Sequence, residues 1–161
     1  MAAATQTAIE YAGFWRRLFA FCLDMLMVSS ISSALGLVLF GPDYLLHLQH
    51  GSSLFASDWR ILLLEQGLPV IWTLGFWMLW MATPGKLLVD CQIVDADSHQ
   101  RAKTRQLIIR YLAYILSALP LGLGFLWILF DRRKQGWHDK LAHTVVMMQD
   151  ESLKSLKEYY V

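Results

Sequence analysis

Long hydrophobic runs alternate with shorter polar segments along this chain. Three runs approach or exceed the ~20 residues that an α-helix needs to cross the hydrocarbon core of a bilayer. They extend from about residue 14 to 40, from 61 to 82 and from 107 to 130. The pattern therefore predicts three hydrophobic helical segments, connected and followed by polar segments at 41–59, 83–106 and 131–161.

The third run is interrupted near its middle by Pro120, Gly122 and Gly124. Proline and glycine break or kink helices, so this run is either one kinked span or a helical hairpin. Each arm of a hairpin would contain about 12 residues, near 18 Å of helix, which is too short for a core of about 30 Å. A single span satisfies the length requirement instead.

The distribution of lysine and arginine bears on this choice, because short cytoplasmic loops collect these residues. The segment 41–59 has none, whereas the other three flanks all carry them. These residues are Arg16, Arg17, Lys86, Arg101, Lys103, Arg105, Arg132, Arg133, Lys134, Lys140, Lys154 and Lys157. Three cytoplasmic flanks require an even number of crossings, which favours the hairpin with a cytoplasmic tail over the single span.

The polar segments carry weaker structural signals. Residues 44–48 suggest a short amphipathic helix in the external loop, and the partly alternating, β-branched residues 87–95 predict a strand or hairpin at the membrane surface. The last dozen residues are typical of a charged helix or a frayed tail. We expect one domain over 1–161, an all-α membrane protein with a short cytoplasmic β-like loop.

Composition supports a membrane protein. The chain is 56% hydrophobic and 17% charged, and it contains seven Trp; soluble domains carry about 25% charged residues. A net charge of +1 argues against nucleic acid as a partner. The first ten residues lack the features of a cleavable signal peptide, so we expect the first run to remain.

Few residues have the spacing of a cofactor or metal site. Cys22 and Cys91 match no metal-ligand or redox spacing and are expected to be reduced structural residues. His47 and His50 are a poor metal pair without further ligands. No nucleophile motif is present. We therefore expect neither cofactor, nor metal, nor enzymatic activity.

Asp24 is the least expected residue of the first run. A carboxylate inside a bilayer costs roughly 2.5 to 3.5 kcal/mol even on the gentler insertion scales. Arg17 lies seven residues earlier and shares the helix face, but about 10.5 Å of rise separates the two residues. Each is therefore expected to find its partner on another segment or another subunit.

Candidate partners are distributed over the remaining segments: Glu65, Arg110, Asp131, His138 and Asp139. A buried carboxylate that faces an arginine stays ionised, whereas one without a cation is protonated near neutral pH. Lys86 follows a sharp Thr-Pro-Gly turn and either binds a phosphate or lipid headgroup or is simply solvated. His138 and Asp139 are adjacent, which makes a catalytic dyad a weak interpretation because adjacent helical residues point in different directions.

Several motifs in this order resemble the RDD-domain membrane proteins, named for one arginine and two aspartates. The resemblance covers about residues 12–147. It rests on Tyr11-Ala12-Gly13-Phe14-Trp15-Arg16-Arg17 with Asp24, on Thr83-Pro84-Gly85-Lys86 with Ile93-Val94-Asp95-Ala96, on Arg110-Tyr111, and on the segment from Gly136 to Val146.

The resemblance makes Arg17 the family arginine, Asp24 the first aspartate and Asp139 the second, with Asp131 as the weaker alternative for the second. His143 stands where such proteins often have glycine. The resemblance also implies a helical domain of the bacterial inner membrane and a role in transport, with some members linked to sodium/proton antiport.

Two hypotheses follow. In the first, the protein is a homo-oligomeric transporter in contact with membrane lipid that exchanges a monovalent cation for a proton at Asp24, with Asp139 and His138 as a cytoplasmic relay. In the second, it is a non-transporting scaffold or assembly factor, in which Arg17, Asp24, Asp139 and Arg110 form a structural polar network.

Overall fold

The computed structural model describes residues 10–50 and 58–148, without the side chains of residues 47–50. The helices are α1 (Phe14–Phe40), α2 (Asp43–His50), α3 (Trp59–Trp80, with a π-turn at Leu63–Gly67), α4 (Pro84–Leu87), α5 (Thr104–Ala118), α6 (Leu123–Leu126, followed by a 3₁₀ turn at Trp127–Leu129) and α7 (Trp137–Leu141). Two strands, β1 (Cys91–Asp95) and β2 (Thr144–Met148), complete the described elements. The prediction of a mostly helical membrane-type chain is confirmed, with a small sheet in addition.

α1 is continuous over the predicted 27 residues and buries one narrow face. The buried positions recur every three or four residues: Arg17, Ala20, Asp24, Val28, Ser32 and Gly36. The other faces are apolar and open, for example Leu26 at 65% and Val38 at 81% exposure. At Gly36 the missing side chain makes room for the ring of Tyr44 from α2, so the small residue permits close packing.

α3 begins at Trp59 and ends at Trp80, two residues before each predicted boundary. Its π-turn lies immediately before Pro69. Proline lacks an N–H group and its ring clashes with the carbonyl group four residues earlier, here that of Glu65. A π-turn is one way in which a helix accommodates such a break without ending.

The third hydrophobic run does not form one helix from 107 to 130. α5 begins earlier, at Thr104, and the chain then turns through 113° before α6. Leu121 and Gly122 adopt positive φ values of 51° and 79° at this corner. By length and composition, α1 and α3 are the candidate spans among the described residues, and the bent pair counts as a third only if it is one broken span.

The two strands pair antiparallel from Cys91↔Met148 to Asp95↔Thr144. The predicted strand at 87–95 therefore exists, but its partner comes from the tail rather than from an adjacent hairpin. On the other edge of β2, the Ala12 N–H donates to Val146 O at 2.9 Å and the Met148 N–H donates to Glu10 O at 2.9 Å. We call residues 10–13, 83–103 and 131–148 together the polar cap.

The predicted amphipathic helix at 44–48 corresponds to α2. Residues 51–57 of the predicted external loop and the predicted terminal helix or tail after residue 148 lie outside the described residues. A core of buried residues links α3, α5 and the polar cap: Ala12, Trp77, Met81, Cys91, Ile93, Ala102, Leu107 and Val146. Both cysteines are free; Cys22 is exposed on α1 and Cys91 is buried in this core.

The close approach of α4 to α1 leads to the first testable prediction. A Cβ atom at Gly85 would overlap the Ala20 carbonyl oxygen and lie 2.9 Å from Asp24 Cγ. We expect Gly85→Ala to destabilise the protein by about 1–3 kcal/mol through overpacking. Equilibrium unfolding in detergent, followed by circular dichroism, measures the change.

Gly75→Ala is the matched control, since nothing lies within 4 Å of a Cβ atom at that helical position. Alanine is also the better helix former, by up to about 1 kcal/mol. Equal stability of the two variants would contradict the close packing of α4 on α1.

Candidate functional site

Arg17 lies one turn into α1 with its guanidinium group turned towards the polar cap. Its Nε donates to Ala12 O at 2.9 Å and its Nη2 donates to Lys134 O at 2.6 Å. Its Nη1 donates to Asp139 Oδ2 at 2.5 Å. All three nitrogen atoms are therefore engaged, and none of these bonds goes to Asp24. The expectation that Arg17 finds its partner on another segment agrees with this geometry.

Asp139 is fully buried and lies between two arginines. Its Oδ2 accepts hydrogen bonds from Arg17 and from the Gly136 N–H, the latter at 3.0 Å. Its Oδ1 forms an ion pair with Arg110 of α5, which also donates to Thr144 Oγ1 at 2.8 Å. One carboxylate thus joins α1, α5 and α7, and the second arginine connects the group to β2.

The electrostatic surroundings keep Asp139 ionised. Burial alone would raise its pKa, but Arg110 and Arg17 outweigh this effect and hold the pKa of Asp139 well below its usual range. A carboxylate in this state takes up no proton near neutral pH. Asp139 therefore acts as a permanent counter-ion, which does not suit the predicted role of a proton relay.

Asp24 lies two turns after Arg17 on the same face of α1, apart from the group formed by Arg17, Arg110 and Asp139. Its Oδ2 accepts a hydrogen bond from the Thr83 hydroxyl group, and its Oδ1 accepts one from the Gly85 N–H at 2.8 Å. Both donors are neutral groups of the turn that starts α4. The intramembrane carboxylate is thus only 7% exposed and satisfied without either arginine.

Lys86 is buried, although a lysine at a membrane face is usually solvated. Its Nζ lies 4.9 Å from the centre of the Trp77 ring, and Arg110 Cζ lies 5.4 Å from the same ring. Such cation–π contacts contribute about 0.5–2 kcal/mol each. Burial, and to a smaller extent Arg110 and Arg17, together lower the pKa of Lys86 to about 7, against partial opposition from Asp139 and Asp24.

His138 is enclosed by aromatic rings and by α5. Its ring centre lies 4.7 Å from that of Tyr114 and 5.0 Å from that of Phe125. The Ser117 Oγ accepts from the His138 N–H at 3.1 Å and lies 3.2 Å from Nδ1. Burial lowers the pKa of His138 to about 3, against the opposing effect of Asp139. The imidazole is therefore neutral and structural at neutral pH.

Asp131 lies outside this cluster. Its carboxylate forms an ion pair with Lys140 and accepts the N–H groups of Arg133 and Gln135 at 3.0 and 3.2 Å. Burial raises the pKa of Asp131, but these contacts outweigh it and the net shift is downward. The geometry places Asp139 rather than Asp131 next to the arginine of α1. Glu65 also lies apart, where it accepts a hydrogen bond from the Tyr44 hydroxyl group at 3.4 Å.

Sequence reasoning missed several groups that complete the site: Trp77, Thr83, Ser117, Gln135 and Thr144. Trp77 is only 1% exposed, and Lys86 and Arg110 both lie over its ring. It packs in one core with Leu74 and Met81, three residues before it and four residues after it. Among the described residues, no group of three or more His, Cys, Asp or Glu side chains is placed to hold a metal ion.

Comparison with known proteins assigns the chain. Residues 11–143 match the profile of the RDD family. The chain belongs to the RDD family. This RDD protein is also 31% identical to an uncharacterized protein of Rickettsia prowazekii (strain Madrid E), an alignment that covers 86% of this chain and 96% of the relative. No solved structure matches it.

Removal of the charge of Asp139 is expected to cost about 3–5 kcal/mol, because Arg17 and Arg110 would remain buried without their counter-ion. The test is Asp139→Asn in this RDD protein, with the free energy of unfolding measured in detergent. The matched control is Asp131→Asn, for which a smaller loss is expected, because its partner Lys140 is 43% exposed and Asp131 itself is 14% exposed, so that solvent compensates part of the change. Comparable losses in the two variants would contradict the central role of Asp139.

The buried neutral His138 gives a pH prediction. Because its folded-state pKa of about 3 lies below the unfolded value of about 6.5, the unfolded chain binds an extra proton between these values. Stability contributed by His138 is complete above pH ~6.5 and is lost as the pH falls, by up to ~1.4 kcal/mol per unit.

His138→Gln should flatten the stability profile between about pH 6.5 and 4.5, above the range in which carboxylates titrate. Unfolding titrations of both proteins at several pH values check this expectation. In the unchanged RDD protein, the His138 imidazole should also show no NMR titration above about pH 4, given its pKa of about 3. A normal histidine titration near pH 6.5 would refute it.

Proposed function

We propose that this protein is a homo-oligomer of the bacterial inner membrane that exchanges a monovalent cation for a proton. Asp24 is the cation ligand, and Lys86 is the group that binds and releases the proton. Arg17, Arg110 and Asp139 form the fixed structural part of the site. In this proposal the Asp24 carboxylate and the Lys86 ammonium group compensate each other in the absence of the cation.

The observation that carries the proposal is that the two aspartates have different partners: Asp139 contacts charged groups, and Asp24 contacts neutral ones. Both arginines contact Asp139, whereas the hydrogen bonds to Asp24 come from neutral groups. A carboxylate so placed in a membrane helix keeps lone pairs for a further ligand, since each oxygen accepts more than one bond. Intramembrane acids of this kind are typical of ion pathways.

Lys86 supplies a proton equilibrium in the physiological range. Its pKa of about 7 means that the ammonium and amine forms are both populated near neutral pH, and Asp24 favours the charged form. When a monovalent cation binds at Asp24, the ammonium group loses one proton, so that one positive charge replaces another. When the cation leaves, Lys86 regains a proton, and one full cycle moves one cation against one proton.

The homo-oligomer follows from the small size of the helical part. α1 and α3 are the two candidate spans of sufficient length, with a bent third segment at most. Two or three helices are too few to enclose a hydrophilic pathway. Copies of the chain packed around the exposed faces of α1 would supply the remaining wall.

A scaffold or assembly factor is the second candidate function. It is favoured by the fully buried Asp139, whose two arginines join α1, α5 and α7. Buried networks of this type are retained in some proteins because they select one arrangement of elements. In this case Asp24 would only anchor the turn before α4.

Proteoliposomes with an acidic lumen and a trapped pH dye distinguish the two functions. External NaCl or KCl should make the lumen more alkaline in vesicles that contain the unchanged protein. Cation binding should become tighter as the pH rises through about 7, because Lys86 then loses the positive charge that competes with the cation. Asp24→Asn should reduce the flux to that of protein-free vesicles.

Lys86→Arg is the sharper variant, because arginine keeps the positive charge but does not release a proton. It should abolish exchange while leaving the protein folded. Asp131→Asn is the matched control and should leave the flux unchanged, since Asp131 lies outside the cluster. If the unchanged protein gives no cation-dependent proton flux, or if Asp24→Asn retains it, the exchange proposal fails and the scaffold function is favoured.

A further inference from the structure

The two ends of the third hydrophobic run are tied to the same small sheet. β1 precedes α5 and β2 follows α7, and the two strands pair over residues Cys91–Asp95 and Thr144–Met148. The N-terminal segment before α1 bonds to the other edge of β2. Hydrogen-bonded strands cannot lie on opposite faces of a bilayer. The chain therefore enters α5 and leaves α6 on one and the same side.

Neither arm of this run is long enough to cross a membrane. α5 has 15 residues, or about 22 Å of helix, against a hydrocarbon core of about 30 Å. α6 and its 3₁₀ turn are shorter still, and the axis turns through 113° between the two arms. The run thus forms a corner whose tip, around Leu121, points away from both of its ends.

The corner is held by specific packing. A Cβ atom at Gly124 would lie 2.5 Å from Ser117 Cα, so the glycine allows α6 to touch α5 directly. His138 fills the inner angle of the corner between Tyr114 and Phe125 and bonds to Ser117. These contacts fix the bend between α5 and α6.

The outer side of the corner is apolar and open. Leu121 is 97% exposed, Leu119 72% and Phe130 81%. The same helix α5 buries its polar side, including Arg110 and Ser117. Exposed basic residues flank the two ends: Lys103, Arg105, Arg132 and Arg133. Apolar side chains beyond a basic border match the hydrocarbon and the anionic headgroups of one membrane leaflet.

We propose that the α5–α6 corner is a wedge that inserts into one leaflet of the bilayer from the side of the polar cap, with its tip at Leu121 in hydrocarbon and its basic ends at the headgroups. This interaction surface is independent of the proposed cation exchange. The partner is lipid, and among the helices in residues 10–50 and 58–148 only α1 and α3 cross the bilayer.

Single-cysteine labelling of the full chain tests this topology. In a background with Cys22→Ser and Cys91→Ala, cysteines replace Arg105, Leu121 or Arg132. A membrane-impermeant maleimide is added to bacterial spheroplasts and, separately, to inverted membrane vesicles. Arg105→Cys and Arg132→Cys should react in the same preparation, and Leu121→Cys should react in neither until detergent is added.

Pro42→Cys is the matched control, because this exposed residue lies at the far end of α1 and should react in the opposite preparation. An environment-sensitive fluorophore on Leu121→Cys in purified vesicles should be quenched by lipids that carry a spin label in the acyl chain. Quenching should be weaker for the fluorophore on Arg132→Cys. Folding of each variant is checked by gel filtration.

Four results would overturn the wedge. Reaction of Arg105→Cys and Arg132→Cys in opposite preparations would mean that the run crosses the membrane once. Ready reaction of Leu121→Cys on the side of the polar cap would place the corner in water, and its reaction on the opposite side would mean that both arms cross. Efficient disulfide cross-linking between two copies through Leu121→Cys would identify a second chain, rather than lipid, as the cover.

Discussion

A fully buried carboxylate between two arginines is the contact on which the remaining structure depends. Asp139 accepts hydrogen bonds from Arg17 and from the Gly136 N–H, and it forms an ion pair with Arg110. Burial of three charged groups is tolerable only because each has its partner in place. Helices α1, α5 and α7 are consequently fixed relative to one another, and Arg110 extends the arrangement to β2 through Thr144.

This arrangement separates two kinds of charge. Asp139 is held in its ionised form, since the attraction of Arg110 and Arg17 exceeds the effect of burial on its pKa. Lys86 lies beside them, but here burial and the two neighbouring arginines act in the same direction and lower the pKa. The site thus contains one carboxylate whose charge is constant near neutral pH and, close to it, a lysine whose charge changes with pH.

Much of the helical content could be predicted from short-range patterns. The bounds of α1, the corner at Pro120 to Gly124 and the strand near Cys91 each depend on residues close in sequence. The pairing of these elements could not be predicted in this way, because Arg17 and Asp139 are 122 positions apart in the sequence and only the fold brings them together. The burial of Trp77 and Lys86 was missed for a related reason: helical periodicity alone does not say whether a face meets lipid or protein.

The place of β2 in the small sheet has a consequence for biosynthesis. β2 lies between the N-terminal segment and β1, so the sheet closes only when residues 144–148 arrive. Arg17 and Arg110 both leave the ribosome before the carboxylate that they share. Until then, these arginines lack the counter-ion that they share in the folded protein. Assembly of the polar cap is therefore a late event that follows synthesis of α1 and α3, and a chain arrested before Asp139 would have these helices without the ion pairs that join α1 to α5 and α7.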